Sequence, residues 1–328
     1  MKFSRRAAIH GVTLAGFAFA TGLAVAQTPN WPSRPITIIA PYPPGASTDF
    51  IARLIRDPLE EQLKVPVVVE NRPGAGGTSG AAQVAKSDPD GYTLLVTVNA
   101  PVTMNAHMQK NFPFDPMKAF TPVATVVTDK QVMVANPKVP FDTPQELVRH
   151  AKANPGKLTY GAAYSIGPHF IMELFKIKAG VNIVHVPYRG SAPIITDLIA
   201  GQIQLTMSGK SVLLPQILSG KMKAIAVTAA ERWPELPNVA TLVEGGHMDF
   251  PYETSFGVVA PMGTPVPVIE RLHNAINEGL QTPGVRAAIA KLGIGPKITS
   301  LQEFAATIAE EGPRWAEIVR VTGIKAAQ

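Results

Sequence analysis

At 328 residues the chain is long enough for one large domain or two modest ones, and either buries a substantial core. An apolar fraction of 46% against 16% charged residues is a globular composition and excludes a disordered chain. The net charge of +6 is dispersed without the basic block that nucleic acid requires, and the absence of cysteine excludes disulfides, thiol chemistry and cysteine-based metal sites.

The N-terminus reads as an export signal. Lys2, Arg5 and Arg6 form a basic start, Gly11 to Ala20 is an apolar stretch, and Ala24-Val25-Ala26 supplies a small-residue cleavage pattern. The apolar run is too short and too rich in glycine and alanine for a membrane anchor. Ser4 to Ile9 matches a twin-arginine signal only in part, and the general export route fits better. Removal of residues 1–26 leaves a chain that starts near Gln27 and keeps +3 of the net charge.

Arg34 to Pro41 is a nearly continuous apolar run bounded by prolines, which predicts a buried strand. The loop Pro43-Pro44-Gly45-Ala46-Ser47-Thr48-Asp49 follows. Phe50, Ile51, Leu54 and Ile55 then stand at helical spacing, with Thr48 or Asp49 as the N-cap and Pro58 expected to kink or end the helix. Val65 to Glu70 is a second strand, Thr78 to Lys86 a small-residue helix and Tyr92 to Val98 a third strand. This β-α-β-α-β order with apolar strands predicts a parallel sheet covered on both faces.

The pattern recurs. Helices are expected from Thr143 to Lys152, Pro168 to Lys178, Ala192 to Ala200 and Leu213 to Ser219. Strands are expected at Leu158 to Ala162, Val181 to Pro187, Ile203 to Met207 and Ala224 to Thr228. The two stretches read as two α/β lobes rather than one sheet. Val123 to Val134 and Phe256 to Pro261 are the extended crossings between them, and the helical tail, Val266 to Ile324, is expected to pack back on the first lobe.

In open α/β sheets ligands bind beyond the carboxyl ends of the strands. Three strand-to-helix turns qualify: Pro43 to Asp49, Ala162 to Gly167 and Tyr188 to Ala192. Each opens a helix, and helix starts present free N–H groups that together bind an anion without lysine or arginine. Glycine and serine are also what tight turns require, so one such loop alone carries little weight.

Longer motifs resemble a known family. They are Trp31-Pro32-Ser33-Arg34-Pro35-Ile36, Pro43-Pro44-Gly45 with Thr48-Asp49, and Val68-Val69-Glu70-Asn71-Arg72-Pro73-Gly74-Ala75-Gly76-Gly77. Asp88 to Leu94, His185-Val186-Pro187-Tyr188-Arg189-Gly190, Ala260-Pro261 with Gly263-Thr264-Pro265, and Arg314-Trp315 continue the series. In this order they resemble the Bug family, the extracytoplasmic receptors of tripartite tricarboxylate transporters. The resemblance implies a two-lobed α/β type II periplasmic binding protein fold with a two-strand hinge and an interlobe cleft. Lobe I would take 27–126 plus 254–328, and lobe II 127–253. It further implies a periplasmic monomer that binds a small carboxylate, needs no cofactor and delivers its ligand to membrane permease subunits.

Carried over residue by residue, the carboxylate grip falls on Gly45, Ala46, Ser47, Thr48 and Asp49 and, opposite, on Gly190, Ser191 and Ala192, with Asp197 in support. Ala163, Tyr164, Ser165 and Asn99 would line the cleft. The family pattern has glycine where this chain has Ala46, phenylalanine where it has Tyr42, and serine with more glycine where it has Ala162, Ala163 and Tyr164. An alanine at 46 narrows the backbone conformations available. Tyr42 and Tyr164 flanking the cleft would favour a flat or aromatic carboxylate, such as an aromatic dicarboxylate; the alternative is that both rings face solvent or the core. Arg189 either meets the ligand or lies on the rim.

Other readings have smaller hooks. Ala163 to Gly167 approximates a nucleophile elbow around Ser165, and Asp197 with His247, or Asp249 with His273, would complete a serine hydrolase order. Gly74 to Gly80 lacks the spacing and the lysine of a phosphate loop. His169 and Glu173 are one helical turn apart, too few ligands for a metal, and His169 would order its own loop. A receptor of this kind also serves as a sensor, presenting its closed form to a membrane kinase.

Overall fold

In the computed structural model, residues 31–98, 103–109, 111–164, 166–188 and 190–325 are described. The expected export signal, Asn99, Ser165 and Arg189 lie outside them. Strand β1 (Ile36–Ala40) is the buried strand that its apolar run predicts, with Ile36, Ile38, Ile39 and Ala40 closed to solvent. It lies parallel between β2 (Val67–Asn71) and β3 (Thr93–Val98). The crossovers are helices α1 (Ser47–Leu63) and α2 (Thr78–Ala85).

The recurrence also holds. Strand β5 (Thr159–Ala163) lies parallel between β6 (Val184–Tyr188) and β7 (Leu205–Gly209). These alternate with α4 (Gly167–Ala179), α5 (Ser191–Ala200) and α6 (Lys210–Leu218), after α3 (Pro144–Ala153) and before β8 (Lys223–Val227). The two predicted crossings are β4 (Phe120–Ala135) and β9 (Glu253–Pro261), which run antiparallel to each other.

One expectation is corrected. The two halves are not separate sheets but one sheet in the order β2-β1-β3-β9-β4-β7-β5-β6, with β8 also on β4. The reason is the length of β4, 16 residues or about 50 Å of extended chain. It pairs with β9 from Phe120 to Lys130 and then, from Gln131, with β7 and β8. The exchange of partners falls at Asp129 to Gln131.

Pro58 does not end α1, which runs on to Leu63. A proline inside a helix costs about 3 kcal/mol. Burial of Leu59 and Leu63 beyond it returns about 1.5–3 kcal/mol each. The N-cap is Ala46, whose carbonyl accepts from Phe50 N at 3.0 Å, so Thr48 and Asp49 lie inside the first turn rather than before it.

The tail forms α7 (Val266–Gln281), α8 (Pro283–Ala290) and α9 (Leu301–Thr322). Helix α7 packs on α1 and β4, as expected of a tail returning to the first lobe. Helix α9 also reaches the second half: its Trp315 meets Phe170 of α4 edge-on at 5.8 Å and shares that core cluster.

Gly279 of α7 sits against Pro58, where an added Cβ would stand 2.5 Å from the proline Cβ. Helix propensity alone makes Gly279→Ala stabilising by about 1 kcal/mol; the contact makes it destabilising by about 1–3 kcal/mol. Urea unfolding should show the loss, and a gain would show that α1 and α7 are not held this closely.

Candidate functional site

The loop before α1 is shaped by two residues. Gly45 takes φ +82°, a left-handed conformation that suits glycine, and Ala46 is extended at φ −72°, ψ 163°. The alanine therefore brings no backbone strain, contrary to the narrowing expected of it, and its methyl group lines a cavity. Behind the loop lies the buried Asp49 carboxylate. It accepts from Gly45 N at 2.9 Å and from Arg53 Nε at 3.0 Å. Burial alone would raise its pKa. The hydrogen bonds from Arg53, the Gly45 N–H and Asn71 outweigh burial and hold it below the usual carboxylate value. Asp49 thus staples the loop from behind rather than facing the cavity.

Ala46 offers no capping side chain, so the first-turn N–H groups of α1 have no side-chain cap. Thr48 is 2% exposed, lines the cavity, and its hydroxyl has no hydrogen-bond partner among the described residues. Tyr42 also lines the cavity. Its hydroxyl donates to Gly76 O at 2.9 Å, and burial pushes it up to about 12.

Opposite stands the start of α5. Gly190 is its N-cap without a side-chain cap, and Ser191 lines the cavity. Ala192 lies in the first turn of α5 but is not a lining residue. Asp197, one turn further on, accepts from the Tyr188 hydroxyl at 2.6 Å. Burial and then this bond push the Tyr188 phenol up to about 12. Asp197 ties α5 to β6.

The middle loop departs from expectation. Ile166, Gly167 and Pro168 line the cavity, whereas Ala163 lines only a small adjoining pocket of about 30 Å³. Tyr164 is 43% exposed and is not a lining residue. Its ring lies over His169 at 5.2 Å, and His169 stacks on His185 at 4.1 Å. His169 faces the core side of α4, and burial together with His185 lowers it to about 4. These two residues serve a ring stack beside the site, not its wall.

The floor comes from residues that sequence reasoning did not single out. They are Asp129 and Gln131 at the β4 partner exchange, Thr254 and Phe256 of β9, and Ser208, Gly209 and Ser211 at the β7–α6 junction. Tyr252 and Trp315 contribute further ring surface. Asp129 accepts from Ser211 Oγ at 2.6 Å and from Ser211 N at 3.3 Å. Burial raises its pKa, against the pull of those bonds. Gln131 Nε2 donates to Asp129 O at 2.8 Å and to Thr254 Oγ1 at 3.2 Å. The available signal was a charge and an amide inside an apolar crossing strand.

The cavity volume is about 320 Å³, the low end for metabolite pockets. Among the described residues, the starts of α1, α4, α5 and α6 all contribute to its wall, and no lysine or arginine does. No group of three metal-ligating side chains occurs among the described residues. The hydrolase pairs are not formed: Asp249 pairs with Lys178, and His273 Nδ1 meets the Val123 carbonyl at 2.7 Å. Asp197 is held by Tyr188, while His247 packs edge-on against Phe175.

Comparison with known proteins gives a consistent result. The model for the tripartite tricarboxylate transporter family receptor matches residues 51–324. Protein BugT of Bordetella pertussis is 36% identical over 327 residues, covering 99% of each chain. Among solved structures, Rpa4515 of R. palustris with adipate is 31% identical, covers 90% of this chain and 99% of its own, and has a TM-score of 0.76. MatC of Rhodopseudomonas palustris with bound malate is 29% identical, covers 88% and 100%, and has a TM-score of 0.74.

The Asp49 staple has a pH signature. A carboxylate whose native pKa is depressed contributes stability above the unfolded value of about 4 and loses it as the pH falls through the native one. Asp49→Asn should cost about 1.5–3 kcal/mol at pH 7. In urea unfolding the gap to wild type should narrow as the pH drops below 4, and a gap independent of pH would contradict the staple.

Proposed function

We propose that this chain, which belongs to the tripartite tricarboxylate transporter receptor family, captures a small carboxylate in its cavity and hands it to membrane permease subunits. In this reading it works in the periplasm after export, and the regions 27–126 plus 254–328 and 127–253 are the lobes that close on the ligand. β4 and β9 are the strands about which closure occurs.

The observation that carries the reading is the start of α1. Buried polar groups are almost always hydrogen-bonded, because an unmet one costs about 1–3 kcal/mol. Thr48 Oγ1 is unmet and stands beside first-turn N–H groups that no side chain caps. Across the cavity Ser191 opens α5 in the same uncapped way. A carboxylate fits this pair, since it accepts hydrogen bonds and its charge is favoured at helix starts. The adipate and malate of the two solved relatives are carboxylates of suitable size. The rings of Tyr42, Phe256 and Trp315 supply flat apolar surface, which keeps the aromatic carboxylate reading through different residues from Tyr164.

Thr48→Val tests the reading. The variant removes an unpartnered buried hydroxyl and keeps the shape, so the ligand-free protein should be as stable as wild type or slightly more so. Affinity in calorimetry against adipate, malate and an aromatic dicarboxylate should fall about 5- to 100-fold for the acid that binds wild type. Unchanged affinity would place the carboxylate elsewhere.

A further inference from the structure

The floor of the cavity poses a problem for a plain di- or tricarboxylate. Asp129 is 9% exposed, lines the cavity and shares it with the proposed carboxylate grip. Two carboxylates about 6 Å apart in such surroundings repel by roughly 100-fold in affinity. A site evolved only for anions gains nothing from that group.

The surroundings of Asp129 show that the charge is accommodated but not cancelled. Among the described residues it has no lysine or arginine within ion-pair distance. The nearby Lys210 spends its ammonium on Glu235 Oε1 at 2.8 Å. Ser211 supplies side-chain and backbone donors and the Lys210 backbone a third, with the Lys210 charge acting at longer range, yet a carboxylate has about four acceptor positions. Room is kept for it as well: a side chain at Gly209 would overlap the carboxylate. Capping α6 does not by itself call for a charge, since serine or asparagine caps as well as aspartate.

We propose that Asp129 determines specificity by meeting a cationic nitrogen on the ligand, so that the solute is an amino-carboxylate rather than a plain polycarboxylate. The proposal rests on the reading that the starts of α1 and α5 hold the ligand's carboxylate. By sitting at the start of α6, Asp129 makes that helix start unavailable to an anion and turns the floor into the electronegative end of the cavity. The rings of Tyr252, Phe256 and Trp315 line the same cavity, and aromatic rings are compatible with a cationic ligand group. A ligand with an anion at one end and an ammonium at the other satisfies both ends.

The test is calorimetry on the full mature chain with probe pairs that differ by one amino group. Suitable pairs are L-aspartate against succinate, L-glutamate against glutarate, and 4-(aminomethyl)benzoate against 4-methylbenzoate. In wild type at least one amino member should bind tenfold or more tighter than its partner. Asp129→Asn should bring that ratio near one, and Asp129→Glu should retain part of it. Plain acids binding wild type as well as or better than their amino partners would overturn the proposal, as would an unchanged ratio in Asp129→Asn. If Asp129→Asn does not fold, the wild-type ratio alone decides. Tight binding of plain acids that is lost in Thr48→Val sinks the Asp129 role and leaves the carboxylate grip standing; no binding of any probe sinks both.

Discussion

Strand β4 changes its pairing partners along its length and so belongs to both halves of the sheet. Its hydrogen bonds go to β9 up to Lys130 and to β7 and β8 from Gln131. Every backbone group of a buried strand must be paired, so the exchange of partners fixes where one half ends and the other begins. The cavity opens at that point because the two sheet halves bring their strand ends and helix starts together there. In the proposed closure the halves move about β4 and β9, which leaves the floor in place while the walls approach. Trp315 of α9, lodged against Phe170 and beside the floor, ties the tail to the same junction.

In the proposed reading the cavity holds an anion through backbone groups. Lysine and arginine are absent from its described wall, and positive potential comes from helix starts instead. Such donors need no side-chain ordering on binding, but their loop must be rigid. Asp49 supplies that rigidity by taking the Gly45 N–H on one oxygen and Arg53 on the other. The same residue type at position 129 plays the opposite part, facing the cavity instead of the loop's back. Two buried aspartates at the ends of two helices thus have different consequences because one points behind its helix start and the other in front.

Much of this was legible in the amino-acid sequence. Apolar runs between prolines and glycines marked β1 to β3 and β5 to β8, and the recurrence of strand and helix marked two halves. Of the residues around the cavity, Tyr42, Ala46, Ser47, Thr48 and Ser191 were singled out in the sequence. The continuous sheet was not legible, because strand pairing across the crossing depends on tertiary register and not on periodicity. That α1 continues past Pro58 was not legible because local propensity ignores the leucines buried beyond it. The exposed place of Tyr164 off the cavity wall was not legible, because turn position in the chain does not say which way a ring points. Asp129 was overlooked because one acid in an apolar strand has no motif; its meaning comes from Ser211 and Gly209, some eighty residues away.

A crystal structure of the mature chain with its carboxylate bound is the most direct measurement of the central claim. The account predicts carboxylate oxygens within 2.7–3.2 Å of Thr48 Oγ1 and of first-turn N–H groups of α1, with the start of α5 closing from the other side. A carboxylate held instead by a lysine or arginine side chain, with Thr48 Oγ1 still unpartnered, would contradict it.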